Sequence, residues 1–495
     1  MRIARVLFLA AASVVFFPGF FAQTAVPVAP ASLSSHQLQA IDTFVAQEMA
    51  RERIPGLAVG VYSRGRVLLA KGYGQANVEL SVPVKPETLF QSGSVGKQFV
   101  SAAIMMLVEE GKLSLDDSIT KYFTNAPAAW KPILIKNLLS HTSGLSEYES
   151  GDRTGPKGDF YLRLDFTEDE LVTKIEALPI EWAPGEKWGY RNTNYLLLGV
   201  LIHKITGKPY AQFLDERIFK PLGMTSTRLI SDRDIIPNRS AGYEIDGEQL
   251  KNQAWVSPTF NSTADGTLYF NVLDLAKWDE ALYGTQILKQ SSLDRIWTVY
   301  LLNDGKPNPA GYGFGWFIGQ QNGHKLIQHG GAWQGFTCNI SRYPDDNLTV
   351  AVLTNLGSGR ANPTNFAHVI AGLADAPLLP AKLDPVADTQ PAIAAKLAKT
   401  LDQILAGEDI RPGTTADLAA LITPDTVKWI QRRLSTLWPG GKLTLVKRTP
   451  LPDAPGQFMS IFRLSKGSAA LLLPFGLAPD GKISHLGFSP DREYE

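Results

Sequence analysis

The sequence predicts an α+β protein: one antiparallel sheet built from N- and C-terminal strands flanked by a helical region, then a small C-terminal α+β domain. Three observations carry this. Strand-like segments fall in two distant groups, LAVGVYS with RVLLAKGYG at 57–74, and a run from GFGWFIGQ to LTVAVLTN at 313–355. The segments between them are mostly helical, and strands at both ends of such a region join into one sheet. Residues 374–393, ADAPLLPAKLDPVADTQPAI, are rich in Pro, Ala and Asp and read as a linker, leaving 394–495 for a domain with both helix and strand signals.

At 495 residues the chain is too long for one core, which fits this division. From the N-terminus, Arg2 and Arg5 precede an apolar run from Val6 to Ala22, broken at Pro18 and Gly19. Residues 1–25 therefore read as a signal peptide, with cleavage expected after Ala22 or Ala25, of an exported (periplasmic or secreted) protein with no stable membrane span after cleavage; an uncleaved N-terminal anchor is the alternative. In 34–54, Leu38, Ile41, Phe44, Val45 and Met49 have the spacing of an amphipathic helix. The strands at 57–63 and 66–74 flank Arg64-Gly65 and read as a hairpin. Helices around AIAAKLAKTLDQILAG and VKWIQRRLSTL, with strands from Phe458 to Phe488, supply the C-terminal domain.

Lys+Arg and Asp+Glu are both 48, so charge gives no argument for nucleic acid as a partner. Cys338 is the only cysteine, which excludes an intramolecular disulfide, and it sits in FTCNISRY as a packed strand residue. His324 and His329 lie five apart on a strand and face opposite sides, which argues against a zinc pair. No metal or other cofactor is expected.

The informative stretch is LFQSGSVGKQF, residues 89–99. A phosphate-binding loop needs Gly five positions before Gly96 and a hydroxyl after Lys97; Gln91 and Gln98 stand there instead. An elbow-type hydrolase needs Gly two before Ser94, where Ser92 stands. What remains is Ser94-Val95-Gly96-Lys97. Residues three apart share a helix face, and Phe99, Val100, Ala103, Ile104, Leu107 and Val108 continue an apolar stripe that places the helix start at about Ser94. A serine needs a neighbouring base to become a nucleophile. The motif alone is weak, since a chain of this length holds about one or two by chance. Ser118-Ile119-Thr120-Lys121 is another and reads as a capped surface helix. For Ser94 itself, a helix N-cap is the structural alternative.

Two further stretches break the tie: Tyr190-Arg191-Asn192 after Pro184-Gly185, and His329-Gly330-Gly331 in QHGGAWQGF. With SVGK they resemble the three ordered motifs of the serine β-lactamase and penicillin-binding-protein superfamily, in its class C and D,D-peptidase-like branch. LLSHTSGL at 138–145, IFKPLGMTSTRL at 218–229 and DLAKW at 274–278 resemble the same branch. The resemblance runs from about residue 36 to 373, within a domain placed at 34–373, and implies a β-lactamase/transpeptidase-like fold. It also implies roles. Ser94 would be the acylated nucleophile, with Lys97 and Tyr190 sharing its activation and Tyr190 serving the deacylating water. Asn192 would hold Lys97 and a substrate amide. His329 and Gly331 would form the third motif, and the backbone N–H groups of Ser94 and Ala332 the oxyanion hole. As base, Lys97 needs its pKa lowered from about 10.4 toward neutrality.

Two departures matter. His329 stands where well-known β-lactamases carry lysine, and a neutral histidine binds a substrate carboxylate poorly. Asp265-Gly266-Thr267 replaces the usual Gly-Gly-Leu. The expected function is an exported serine hydrolase forming an acyl-enzyme at Ser94. Its partner is a small-molecule or peptide substrate with a peptide, amide or ester bond, of D,D-peptidase, D-aminopeptidase, esterase or β-lactamase type. The alternative is a catalytically silent penicillin-binding or peptidoglycan-binding module on the same fold.

Overall fold

The computed structural model describes residues 32–149, 160–357, 361–379, 383–422, 424–438, 440–450, 457–467 and 469–490. The expected signal peptide, 1–25, lies outside them. The chain divides into two compact units, one ending at Leu379 and one beginning at Pro380.

In the first unit, α1 (Ser35–Glu52) starts where Ser34 accepts from Gln37 N and Gln37 reaches back to Ser34 N, a capping box. It ends at Arg53 in the left-handed region, φ 59°. Strands β1 (Gly56–Ser63) and β2 (Arg66–Asn77) form the expected hairpin. Arg64 and Gly65 both have positive φ, 50° and 79°, as the tight two-residue turn requires. After β3 (Val82–Pro83) the chain leaves the sheet for the helical region. It returns as β4 (Phe317–Gln321), β5 (His324–Trp333), β6 (Phe336–Tyr343) and β7 (Leu348–Thr354).

The seven strands run in the order β3-β2-β1-β7-β6-β5-β4, with antiparallel neighbours. The joint is β1 on β7, Leu57 opposite Thr354 and Val61 opposite Val350. Strands β1, β6 and β7 are buried along their whole length, as strands covered on both faces are. That is why LAVGVYS and LTVAVLT read as continuous apolar runs.

The helical region centres on α2 (Lys97–Glu109), followed by α3 (Asn192–Thr206) and α4 (Val272–Ala281). The predicted stripe of α2 is buried at Phe99, Val100, Ala103, Ile104 and Leu107, but so are Gln98, Ser101 and Met105. This helix is enclosed on nearly every side. Phe99 meets Trp278 of α4 at 4.6 Å between ring centres, and the Trp278 indole donates to Gln98 Oε1 at 2.6 Å. Helix α5 (Pro363–Ala374) lies against β6 and β7 and meets α1 through Phe44 and Phe366 at 5.5 Å.

In the second unit, α6 (Pro391–Leu405), a short helix at Ala416–Leu421 and α7 (Pro424–Leu437) precede a meander. Its order is β8 (Lys442–Pro450), β9 (Phe458–Lys466), β10 (Ala469–Leu477) and β11 (Ile483–Leu486). Leu397, Leu401, Leu434, Phe462, Leu473 and Phe475 form its core. Helix α6 begins inside the segment read as linker, and Leu378, from the same segment, is fully buried in the first unit. No helix among the described residues is long and apolar enough to cross a membrane.

One buried ion pair ties the first unit's layers together. Arg342 of β6 donates from Nε to Asp279 Oδ1 of α4 at 2.9 Å, with both side chains excluded from solvent. Asp279 also accepts from Thr349 Oγ1 and from Gly65 N in the hairpin turn. The guanidinium lies 4.7 Å from the Tyr283 ring centre and 5.1 Å from that of Trp297. Removing one partner leaves an uncompensated buried charge. Asp279→Ala is therefore expected to lower the unfolding free energy by about 3–5 kcal/mol, measured by urea denaturation.

Candidate active site

Ser94 sits in a 3₁₀ turn, Gly93–Gly96, that leads into α2 at Lys97, so the α-helix begins three residues later than the sequence pattern placed it. Ser94 forms no side-chain cap of this helix. By contrast, Ser118 does cap its short turn, accepting from Thr120 N, and Lys121 pairs outward with Asp117.

The turn is gripped from two sides. Ser92 N donates to Leu268 O, and Leu268 N donates back to Ser92 Oγ. From β6, Cys338 Sγ donates to Ser92 O at 2.8 Å, which gives the lone cysteine a packing role. Three glycines allow this approach. Gly93 has φ 45°, and a methyl on it would lie 2.3 Å from Ala332 N. A methyl on Gly331 would lie 2.1 Å from Ser92 O, and one on Gly266 (φ 153°) 2.5 Å from Gly93 C. Gly331 and Ala332 of β5 thus lie directly against the Ser94 turn.

Lys97 is fully buried. Its Nζ lies 2.9 Å from Ser94 Oγ, 2.8 Å from Asn192 Oδ1, and within hydrogen-bond contact of the Asp265 carbonyl. Asn192 Oδ1 and the Asp265 carbonyl only accept, so they take two N–H groups. On a neutral amine the lone pair then remains for the Ser94 hydroxyl proton. Burial lowers the Lys97 pKa to about 8, against the raising influence of Asp265, Glu147 and Glu149.

Tyr190 lies beside this group, with Lys97 Nζ 5.0 Å from its ring centre and the His141 ring tilted at 36° against it, 4.3 Å between centres. Burial pushes the phenol pKa well up; Ser94 pulls it down, and Asp265, Glu147 and Glu149 add to the rise. The tyrosine therefore stays protonated where the lysine loses its proton easily. His141 has φ 59° and accepts at Nδ1 from Arg191 N and Asn194 Nδ2, which fixes the backbone on both sides of Asn192.

His329 is placed differently from a substrate ligand. It is 2% exposed, its Nδ1 lies 2.6 Å from Gly330 O, and its Nε2 lies 3.0 Å from the Tyr312 hydroxyl. Burial, then the nearby Lys97, lowers its pKa to about 3, so the ring is neutral. One N–H donates to the carbonyl and the other nitrogen accepts from the phenol, leaving neither for a substrate.

Sequence reasoning passed over the segment after LLSHTSGL. Residues 143–149 are laced onto the start of α3: Ser143 Oγ donates to Asn194 Oδ1, Tyr148 N to Thr193 Oγ1, and Thr193 Oγ1 to Ser146 O. This delivers Glu147, whose Oε2 accepts from Asn192 N, and Tyr148, which donates to Asp265 Oδ2 at 2.9 Å. Burial, then Glu149, raises the Glu147 pKa to about 7. The signal was the pair of glutamates flanking Tyr148 directly after a recognised motif.

Ser94, Asn192, Glu149, Asp265, Ala332 and Trp333 line a cavity of about 50 Å³. The Trp333 indole donates to Asn261 Oδ1, and Asn261 lines a far larger cleft of about 1110 Å³.

A family model described as Beta-lactamase matches residues 41–373. The chain belongs to the beta-lactamase family, whose members include serine hydrolases such as amidases and esterases. It is 30% identical over 310 residues to penicillin-binding protein 4* of Bacillus subtilis, covering 59% of this chain and 66% of that protein. The chain thus spans just under two thirds of that relative. The fold resembles the octameric penicillin-binding protein homologue from Pyrococcus abyssi, with TM-score 0.62, 24% identity, and 90% and 94% of the two chains covered. It also resembles the D-amino acid amidase of Ochrobactrum anthropi SV3, with TM-score 0.58, 24% identity, and 70% and 98% covered.

The close approach of β5 to the turn gives a direct test. Gly331→Ala forces the strand away from Ser92 and Ser94. The expected outcome is a loss of about 100-fold or more in the rate of Ser94 modification by an acylating probe, the scale of one lost oxyanion donor. Circular dichroism separates this from global unfolding.

Proposed function

We propose that the protein is an exported serine hydrolase that cleaves a peptide, amide or ester through an acyl-enzyme at Ser94. The observation that carries this is the Lys97 amine, 2.9 Å from Ser94 Oγ with its other contacts made to pure acceptors. The family supports the hydrolase class, and the Arg2-to-Ala22 pattern supports export.

In acylation, Ser94 Oγ attacks the scissile carbonyl carbon as its proton passes to Lys97 Nζ. The oxyanion is held by the N–H groups of Ser94 and Ala332. The opposite pKa shifts of Lys97 and Tyr190 divide the labour: Lys97 takes the proton, and the Tyr190 phenol gives one to the departing amine or alcohol. Tyr190 regains its proton from Lys97, which restores both groups. In deacylation, water attacks the ester, its proton passes to Lys97, and Ser94 leaves as the hydroxyl. Asn192 orients Lys97, and Gly331 lets β5 approach the Ser94 turn. His329 serves this site as a neutral support for β5 and Tyr312.

Two measurements test this. A fluorophosphonate should add one adduct mass to the wild type and none to Ser94→Ala; an adduct persisting in the variant assigns the nucleophile elsewhere. The neutral fraction of Lys97 grows about tenfold per pH unit below its pKa. Labelling should therefore rise with pH and level off above about 8. A flat profile between about pH 6 and 9 rules out Lys97 as base.

A further inference from the structure

Asp265 stands where the usual Gly-Gly-Leu begins with glycine, and its side chain has no part in the steps described above. It is 7% exposed, with Oδ1 buried and without a hydrogen-bond partner among the described residues. Oδ2 accepts from the Tyr148 phenol at 2.9 Å. That phenol is a fixed donor. Tyr148 is buried, its ring lies parallel to Phe260 within 9°, and its N donates to Thr193 Oγ1. The Asp265 backbone carbonyl meanwhile accepts from Lys97 Nζ. One residue therefore brings the amine a backbone acceptor and a buried carboxylate, the latter anchored by a separate segment. Hydrogen bonds alone stabilise such a carboxylate poorly, and a neighbouring ammonium supplies what they lack.

The groups facing Lys97 come from several segments. Asp265 precedes α4, and Glu147 and Glu149 belong to the loop laced onto α3. His141 and His329 are neutral rings, and the Tyr190 and Tyr195 ring centres lie 5.0 and 5.5 Å from Nζ. Arg191, next to Asn192, is paired with Glu181 at 2.6 Å. Burial lowers the Lys97 pKa, and Asp265 is the strongest of the three carboxylates that oppose it. The same charge adds to burial in raising the phenols of Tyr148, Tyr190 and Tyr210.

We infer that Asp265 is a positioning residue for the acyl transfer, acting through Lys97. Its carbonyl aims the amine at Ser94, and its carboxylate, anchored by Tyr148, retains the proton that Lys97 must lose to solvent before its lone pair can take that of Ser94 Oγ. This rests on the acyl-transfer reading with Lys97 as base. The residue at 265 then sets the working pH: a carboxylate delays release of the amine proton to higher pH, and a neutral residue advances it.

The test is the pH profile of Ser94 labelling by a neutral fluorophosphonate in the wild type and two variants. Asp265→Asn removes the charge and keeps an acceptor for Tyr148; Asp265→Gly restores the usual glycine and keeps the backbone carbonyl. Both should lower the pH of half-maximal labelling by about one unit, the low end of the effect of one nearby charge. At about pH 6 the variants should then label roughly tenfold faster than the wild type, with no gain above about pH 9. A purely structural role for Asp265 slows labelling at every pH and leaves the midpoint in place. The proposal is overturned if either variant, folded by circular dichroism, keeps the wild-type midpoint or raises it. The wild-type profile separates the two failures. Unlabelled Ser94, or a flat profile, sinks the acyl-transfer reading and the role of Asp265 with it; a wild-type rise that the variants merely follow sinks the role of Asp265 alone.

Discussion

The Lys97 amine is the point on which the site turns. It joins a serine from its own turn, a side-chain amide from the start of α3, and a backbone carbonyl from the segment before α4. Each contact comes from a different part of the helical region, so that region's packing fixes the geometry at one nitrogen. A fully buried ammonium is costly. The three contacts and the surrounding carboxylates offset part of that cost, and the balance leaves the amine with a pKa lowered to about 8.

The packing around this nitrogen is correspondingly unforgiving. Where Gly93, Gly266 and Gly331 converge, three backbones approach closer than a Cβ allows. The surroundings of Tyr190 are rigid for another reason. His141, Trp188, Tyr312 and His329 form a continuous ring cluster around it, with His141 and Tyr312 4.8 Å apart. Such a cluster excludes water, which raises the phenol pKa and lowers those of the two imidazoles together.

Much of this was legible in the sequence, and the unreadable part has a common character. The Ser94–Lys97 spacing is a local property of one turn, and β1 and β7 announced themselves as apolar runs because both faces are covered. Tyr190 and Asn192 were legible only through ordered motifs, since nothing in YRN itself separates a site residue from a packed aromatic. Asp265 was visible as a departure but not as a contact, because its grip on Lys97 is a carbonyl that every residue carries. His329 was read as a substrate ligand, whereas its surroundings leave it two internal partners. Sequence names a residue's chemistry but not which neighbours occupy it. Glu147 and Tyr148 were missed because their role comes from loop-to-helix hydrogen bonds without periodicity.

The β1–β7 joint also has a meaning in time. Leu57 is made early, and its partner Thr354 arrives only after the whole helical region has been synthesised. At ordinary rates of synthesis that wait is on the order of tens of seconds. Throughout it, β1 has one paired edge and one open edge, and β5, which closes on the Ser94 turn, does not yet exist. The emerging chain carries Ser94 and Lys97 without the strand whose Gly331 and Ala332 lie against their turn. That contact waits until the last third of the first unit is in place, a delay written into the order of the strands.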